Sequence, residues 1–264
     1  MGQVKIPYVS RHKAFEAIDS SLRSGARMNL AFCNANTMLK ALREPDYAQT
    51  LSKFLVLNDG VGVDICSMLF RGHGFSDNLN GTDFLPFLLN NSTVPLRIFL
   101  LGSRQEVVEE AARRLSNSYP RHRIVGAHNG FFGQSEADDV VDMINGGAPN
   151  LVLVGMGNPR QEHFIAQYRS EIEAPVVAGV GAYLDFTAGA VVRAPNLVRK
   201  LRMEWAYRLW LEPKRLGKRY TTDLLQFLAA VTQIRIAQAW NAWVHPEETS
   251  FSAGGSSRRL RPDI

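Results

Sequence analysis

Residues 151–162 read LVLVGMGNPRQE, and this segment indicates the class of fold more clearly than any other. It begins with a short apolar run that ends in Gly155, as a buried β-strand does where it meets a turn. Polar residues follow at once, and Gln161-Glu162 have the polarity that is typical of the first turn of a helix. A buried strand, a glycine-containing turn and a helix in that order predict one unit of a parallel α/β sheet.

The same alternation of short apolar runs and helical patterns extends over most of the chain. The clearest helical pattern covers residues 105–116, where apolar residues form a stripe against Arg and Glu. We therefore predict an α/β fold with a mostly parallel sheet and helices on both faces. The predicted strands are residues 30–33, 54–57, 97–101, 123–126, 151–155 and 176–180.

Positive charge is concentrated in one region near the C-terminus. The 264-residue chain has a net charge of +5, but residues 193–219 alone carry nine Lys or Arg and two Glu, a net +7, and the remainder sums to −2. An anionic partner is therefore expected at this basic region.

Strand patterns stop after Val180, which divides the chain into three predicted parts. These are an α/β body over residues 1–192, a basic helical appendage over residues 193–245 and a disordered tail, rich in Ser, Gly and Arg, over residues 246–264. In the appendage, an apolar face at helical spacing comprises Leu224, Phe227, Leu228, Val231 and Ile234.

The composition excludes several classes of protein. With 45% hydrophobic and 21% charged residues, the chain is globular. Its two cysteines, Cys33 and Cys66, cannot form a disulfide framework and are predicted core residues in a reducing compartment. The histidines form no zinc-binding pattern, so a transition-metal site is not expected. No cofactor is expected either. We see no signal peptide and no apolar stretch near the ~20 residues that span a bilayer, so we expect a cytoplasmic protein.

Four loops that follow predicted strands are unusually polar or rich in glycine. Ligands of parallel α/β sheets bind at the carboxyl ends of the strands, where such loops meet. Convergent glycines, carboxylates, amides and arginines suit a phosphorylated sugar. Each loop alone also fits a plainer interpretation, since glycine pairs are common in tight turns and an Asp beside glycine, such as Asp59, is typical of a turn or an N-cap. The four loops are residues 33–37, 57–62, 155–162 and 179–186.

A series of motifs runs in order through these loops into the basic appendage. They are NA at 34–35, NDGVG at 58–62, NGTD at 80–83, GMGNPRQE at 155–162, GVG at 179–181 leading to DF at 185–186, RAP at 193–195, EWAYRL at 204–209 and EPKR at 212–215. In this combination, which covers residues 10–220, the chain resembles the WecG/TagA/CpsF family of bacterial glycosyltransferases.

The resemblance implies a fold, a reaction and a set of partners. The expected fold is a Rossmann-like α/β domain with a C-terminal appendage. The expected reaction is inverting transfer of a sugar from a UDP-sugar to a polyprenyl-pyrophosphate-linked sugar, in the synthesis of wall teichoic acid, enterobacterial common antigen or exopolysaccharide. The expected place is the cytoplasmic face of the bacterial inner membrane, where the appendage would meet the anionic membrane surface. The resemblance does not decide between a monomer and a homo-oligomer. A nucleic-acid partner is not expected.

The resemblance also implies roles for individual residues. Asp59 is the expected general base. Because the sequence has no D-x-D motif, Arg208 and Arg215 of the appendage are expected to offset the charge of the leaving diphosphate without a metal. Phe131 is expected to flank the uracil, and Asp185 to lie near the nucleoside. The full set of expected substrate-binding residues is Asn34, Thr82, Asp83, Gly130, Phe131, Gly155, Gln161, Asp185 and Arg193.

Three features bear on the sugar. The NGTD form of the motif at 80–83 resembles the subset that adds glucose in xanthan-like exopolysaccharide assembly, so glucose is the first expectation. Transfer of N-acetylmannosamine onto a lipid-linked N-acetylglucosamine is the alternative. Phe32 stands where relatives often carry Thr, and Asn78 stands where many carry Arg; both departures fall in the expected substrate pocket.

Proteins of other classes fit the sequence less well. An NAD-dependent oxidoreductase would share the α/β body, but the glycine pairs at 60–62 and 155–157 lack the third glycine of a dinucleotide fingerprint. A nucleic-acid-binding protein would explain the basic region but would leave the four loops without a role. A purely structural protein would need the crevice to be collapsed. We rank the transferase first.

Overall fold

The computed structural model describes residues 4–195, 198, 204–211, 213–214, 217 and 221–244. These residues form a six-stranded sheet with helices around it. The strands are β1 (Met28–Cys33), β2 (Leu55–Asn58), β3 (Arg97–Gly102), β4 (Arg123–His128), β5 (Leu151–Gly155) and β6 (Val176–Gly179). The helices are α1 (Arg11–Ser24), α2 (Ala35–Arg43), α3 (Pro45–Leu51), α4 (Val61–Arg71), α5 (Gly81–Asn91), α6 (Gln105–Ser118), α7 (Ala137–Gly146), α8 (Arg160–Tyr168), α9 (Tyr183–Ala188), α10 (Glu204–Leu211) and α11 (Thr222–Val244), with a 3₁₀ turn at Gln134–Glu136.

All neighbouring strands of the sheet are parallel, in the order β2-β1-β6-β5-β3-β4. The predicted α/β, Rossmann-like class is confirmed, and each predicted strand is present with bounds that differ by at most two residues. β3 and β5 are neighbours, yet the chain continues from β3 into α6 on one face and from β5 into α8 on the other. Ligands of open α/β sheets bind where neighbouring strands diverge in this way, so we take the carboxyl ends of β3 and β5 as the candidate crevice.

The two faces of the sheet have separate apolar cores. Because side chains alternate along a strand, Leu151 and Leu153 contribute to one core, and Val152 and Val154 to the other. Helices α1, α5, α6 and α9 cover the first face, and α2, α3, α4, α7, α8 and α11 cover the second. Both cysteines are buried, as predicted.

Helix α11 belongs partly to the body of the protein. Of the predicted apolar face, Phe227 and Val231 are fully buried in the second core, and Leu228 packs at its margin. The helix lies against α2 and α4. Among the described residues, every helix is too short or too polar to span a bilayer. The side chain of Arg208, all of Arg215 and the predicted tail over residues 246–264 lie outside the described part of the chain.

Candidate functional site

The floor of the crevice is the main chain at the ends of β3 and β5. Gly102 and Gly155 are paired in register there, and a Cβ atom on Gly102 would lie 2.4 Å from the Gly155 carbonyl oxygen. Gly102 also has a positive φ of 144°, which side chains rarely tolerate. The Ser103 N–H donates to the Gly155 carbonyl (3.1 Å), and the Gly130 N–H donates to the Ser103 carbonyl (2.9 Å). The structure thus brings the predicted residues Gly130 and Gly155 together.

A hydroxyl group links the β3 loop to α9. The Ser103 Oγ donates to the Asp185 Oδ1 at 2.6 Å, so the carboxylate of Asp185 is held at the rim of the crevice. Asp185 was expected to lie near the nucleoside, and its hydrogen bond to Ser103 was not predicted, because a serine after a strand-end glycine is common in ordinary turns.

The loop after β4 presents one aromatic ring to solvent and buries part of the next. The Asn129 Oδ1 accepts the Phe131 N–H (2.8 Å), and the Phe131 side chain is 70% exposed. Phe132 points the other way, with its ring 5.7 Å from the Phe164 ring and 5.6 Å from the Arg160 guanidinium. The anchored Phe132 leaves the Phe131 ring accessible for stacking on a planar group.

The loops after β1 and β2 pack tightly together. Asn34 is the N-cap of α2, and its Oδ1 accepts the N–H groups of Asn36 (3.1 Å) and Thr37 (3.2 Å). A Cβ atom on Gly62 would lie 2.6 Å from the Cβ of Ala35, so the NA and NDGVG motifs are in direct contact. The Asn34 side-chain oxygen therefore fixes the first turn of α2 at the edge of the sheet.

Asp59 is half-buried and lies on a loop that is held on both sides. Its N–H donates to the Cys33 carbonyl at 2.9 Å. The next N–H, that of Gly60, donates to the Asn78 Oδ1 at 2.9 Å. Burial raises the pKa of the Cys33 thiol, and the neighbouring Asp59 and Glu162 carboxylates raise it further. The two carboxylates therefore both lie near the end of β1.

The two departures from the family pattern have structural roles. Asn78 supplies the oxygen that holds Gly60. Phe32 is almost fully buried beneath the start of α5, where a Cβ atom on Gly81 would lie 3.1 Å from its ring. Its ring centre is 6.2 Å from that of Phe84. Both residues are thus part of the packing around the Asp59 loop and the NGTD motif.

An ion pair joins the NGTD motif to the basic region. The Arg193 Nη2 lies 2.5 Å from the Asp83 Oδ1, and the Arg193 Nε lies 3.9 Å from the Glu204 Oε1. Asn80 caps α5 by accepting the Asp83 N–H (2.9 Å). Thr82 and Arg193 line a cavity of about 330 Å³ between α5, α6 and α9. The predicted residues Asp83 and Arg193 therefore contact each other, and Arg193 connects the body to α10.

Gln161 is buried beneath the crevice. Its side chain is 1% exposed, and all of its polar atoms have partners within the protein. The Oε1 accepts the N–H groups of Gly157 (3.2 Å) and Gly181 (3.1 Å), and the Nε2 donates to Glu162 (2.7 Å). Gln161 thus holds the loops after β5 and β6 from below.

Glu162 belongs to the GMGNPRQE motif but was not among the residues expected to bind substrate. It is fully buried, and burial raises its pKa to about 7 even though hydrogen bonds from Gln161 and Tyr47 act in the opposite direction. A glutamate in the first turn of a helix is usually exposed, so its burial could not be expected from the sequence. The signal that the sequence offers is its position directly after a glycine-containing loop. Within the described residues, no three His, Cys, Asp or Glu side chains form a cluster that could hold a metal ion.

Comparison with known proteins identifies the family. A family model described as "Glycosyl transferase WecG/TagA/CpsF family" matches residues 1–241. An N-acetylglucosaminyldiphosphoundecaprenol N-acetyl-beta-D-mannosaminyltransferase of Staphylococcus aureus (strain NCTC 8325 / PS 47) is 37% identical over 143 residues, 54% of this chain and 56% of the relative.

A protein of the same name from Bacillus spizizenii (strain ATCC 23059 / NRRL B-14472 / W23) is 32% identical over 184 residues, 69% of this chain and 70% of the relative. The match to the Staphylococcus aureus protein thus spans little more than half of that protein, whereas the family model spans nearly all of this chain. The chain belongs to the WecG/TagA/CpsF family of glycosyl transferases.

Proposed function

We propose that this protein is an inverting glycosyltransferase that moves N-acetylmannosamine from a UDP-sugar onto N-acetylglucosamine linked to a polyprenyl pyrophosphate. The names of both relatives favour this alternative over the glucose transfer that the NGTD motif first indicated. The observation that carries the proposal is the position of Asp59, a half-buried carboxylate on a doubly fixed loop at the carboxyl edge of the sheet, in a chain of this family.

Asp59 is the proposed general base. Inversion in a single displacement requires a base on the side opposite the leaving UDP, where it takes the proton of the acceptor hydroxyl. The hydrogen bonds from Asp59 to the Cys33 carbonyl and from Gly60 to Asn78 fix the backbone on both sides of the carboxylate. A base that is held in this way loses little entropy when the acceptor binds.

The donor is proposed to lie over the bare main chain at the ends of β3 and β5. Because the glycines at this floor carry no side chains, a diphosphate would have room to lie close to the main chain. The exposed Phe131 ring is proposed to stack on the uracil, and Asp185, held by Ser103, to contact the ribose. Asn34 and Thr82 are proposed to line the sugar end of the site.

The appendage is proposed to complete the site with positive charge. Arg193 already joins Asp83 to Glu204, so α10 begins close to the N-terminus of α5. Arg208 and Arg215 are proposed to offset the charge that develops on UDP as it leaves. Fixed guanidinium groups would provide this stabilisation without a metal.

The same region is proposed to bring the protein to the cytoplasmic membrane face, where its acceptor is anchored. The net charge of +7 over residues 193–219 would favour an anionic leaflet, at about 1 kcal/mol for each basic residue near the surface. The Trp210 ring, 76% exposed and 6.2 Å from the Tyr207 ring centre, is suited to the interfacial layer. These features support peripheral attachment.

Transfer assays with the full chain test the proposed reaction. The protein is incubated with synthetic polyprenyl-pyrophosphoryl-N-acetylglucosamine and, separately, with radiolabelled UDP-N-acetylmannosamine, UDP-N-acetylglucosamine and UDP-glucose. We expect label in the lipid fraction with UDP-N-acetylmannosamine. Label from UDP-glucose alone would show that the assigned sugar is wrong, and no lipid product from any donor would refute the transferase.

A further inference from the structure

Glu162 lies at the centre of a buried hydrogen-bond network under the crevice. Its Oε1 accepts the side-chain N–H groups of Asn158 (2.6 Å) and Gln161 (2.7 Å), and its Oε2 accepts the Tyr47 hydroxyl (3.2 Å). With no exposed surface, the carboxyl group contacts only protein. Its partners come from α3, from α8 and from the loop between β5 and α8.

The network decides which way the Gln161 amide faces. An amide side chain can turn over, which exchanges its oxygen for its NH₂ group. Here the Glu162 Oε1 requires a donor, so the NH₂ group points down and the oxygen points up to the N–H groups of Gly157 and Gly181. A reversed amide would place NH₂ against two N–H donors and leave buried groups unpaired.

One amide oxygen therefore fixes the spacing of two loops. Gly157 follows β5 and Gly181 follows β6, and these loops form one side of the crevice. The fit is tight, since a Cβ atom on Gly179 would lie 3.0 Å from the Gln161 Nε2. The Lys40 ammonium donates to the Asn158 carbonyl at 3.3 Å and ties the first loop to α2.

We propose that Glu162 is a positioning residue of the donor site, which acts through Gln161 and Asn158 to hold the loops after β5 and β6 at the spacing that binds the UDP diphosphate. The inference rests on the proposed function and deepens it, because it gives a positioning role to the Glu162 carboxyl group, which is too deeply buried to contact the substrate. The groups that face Glu162 are Tyr47, Lys40 and Cys33.

The Glu162 Oε1 remains an acceptor for Gln161 and Asn158 in both protonation states of Glu162. The Oε1 accepts from Asn158 and Gln161 whether or not the carboxyl group is protonated, and a proton on Oε2 would be donated to the Tyr47 hydroxyl. The orientation of Gln161 then persists through the pH range in which the group titrates. For the same reason, Glu162→Gln keeps the acceptor under Gln161, with its NH₂ group facing Tyr47.

Calorimetric titration of the full chain with UDP tests the inference without a need for turnover. Loss of one hydrogen bond that orients a buried group corresponds to about a tenfold change in affinity. We expect Glu162→Ala and Gln161→Ala each to weaken UDP binding about tenfold or more, the double variant to be no weaker than either, and Glu162→Gln to restore affinity to within about twofold of wild type. In transfer assays, KM for the donor should rise and KM for the acceptor should not.

Asp19→Ala is the matched control. Asp19 is also a buried carboxylate (2% exposed) with side-chain donors, Thr93 and Ser92, but it lies on α1, which covers the other face of the sheet from α8. This variant should lose stability and keep its UDP affinity. If Glu162→Ala does not fold, Gln161→Ala tests the same proposal, because it removes the side chain through which Glu162 acts on the two loops.

The outcomes separate this inference from the proposed function. If wild type binds UDP and either Glu162→Ala or Gln161→Ala binds it equally well, the positioning role is refuted while the transferase stands. Additive losses in the double variant would also refute it, because the two residues would then act independently. If wild type binds no UDP, the proposed function fails, and the inference fails with it.

Discussion

Raising the pH from 5 to 9 should destabilise the folded protein through the single carboxyl group of Glu162. Burial raises the pKa of this group from its ordinary 4.5 to about 7, because the carboxylate form loses its hydration inside the protein. In the unfolded chain the group titrates near its ordinary value. The folded state therefore holds a proton that the unfolded state releases over this interval.

The size of the effect follows from the shift. Relative to high pH, the protonated Glu162 stabilises the folded state in full below about pH 4.5. As the pH rises, this stabilisation falls by about 1.4 kcal/mol for each pH unit over the range in which Glu162 is ionised only in the unfolded chain. It is lost once the pH has risen through about 7. A shift from 4.5 to about 7 corresponds to about 3 kcal/mol in full, of which about 2.5 kcal/mol falls between pH 5 and pH 9.

Urea unfolding of wild type and Glu162→Gln at each pH unit from 5 to 9 measures this contribution. The amide has the shape of the protonated carboxyl group and does not titrate, so other groups cancel in the difference between the two proteins. The free energy of unfolding of wild type, relative to that of the variant, should fall by about 2–3 kcal/mol across the range. Parallel pH profiles would refute the assignment of a buried, pKa-shifted carboxyl group at this position.

Four further changes test other parts of the structure. Asp59→Asn should lower turnover about 10²- to 10⁴-fold in the radiolabel assay while calorimetry shows unchanged UDP affinity; near-normal turnover would remove Asp59 from the role of base. Phe131→Ala should weaken UDP binding about 2- to 10-fold and Phe131→Tyr should not, and equal affinities would exclude stacking on this ring. Arg193→Ala should lower the free energy of unfolding in urea by less than about 1 kcal/mol, as expected for a partly exposed ion pair. The same variant should lower the rate of sugar transfer more than tenfold, because α10 loses its contact with the body. Gly102→Ala should lower the melting temperature sharply, since its Cβ would meet the Gly155 carbonyl, whereas Gly146→Ala, with open space around it, should not; equal melting temperatures would contradict the packing described for the floor.

The strands could be predicted from the sequence because a parallel strand that is buried on both faces is a continuous apolar run. Residues 151–155 are the clearest case, and β5 has the predicted bounds. The order of the strands could not be predicted, because nothing in a local pattern says that β6 lies between β1 and β5. That order depends on long-range packing of helices on the two faces.

The site was predicted less completely than the fold. A motif places a residue near the crevice, but the direction of its side chain depends on neighbours from other parts of the chain. Gln161 was expected to line the donor pocket; in the structure its side chain is buried and donates to Glu162, whose Oε2 accepts the hydroxyl of Tyr47 on α3. In the same way, Phe227 was assigned to the appendage, but it is buried in the core that α2 and α4 cover.

The glycine pair that ends β3 and β5 also limits how this protein can evolve. Neither Gly102 nor Gly155 has space for a Cβ atom, so mutation cannot place a new side chain at the base of the crevice. Amide dipoles at that position are conferred by the backbone and are insensitive to most changes in sequence. A new choice of sugar would therefore have to arise in the surrounding loops, while the surface beneath the ligand is inherited unchanged.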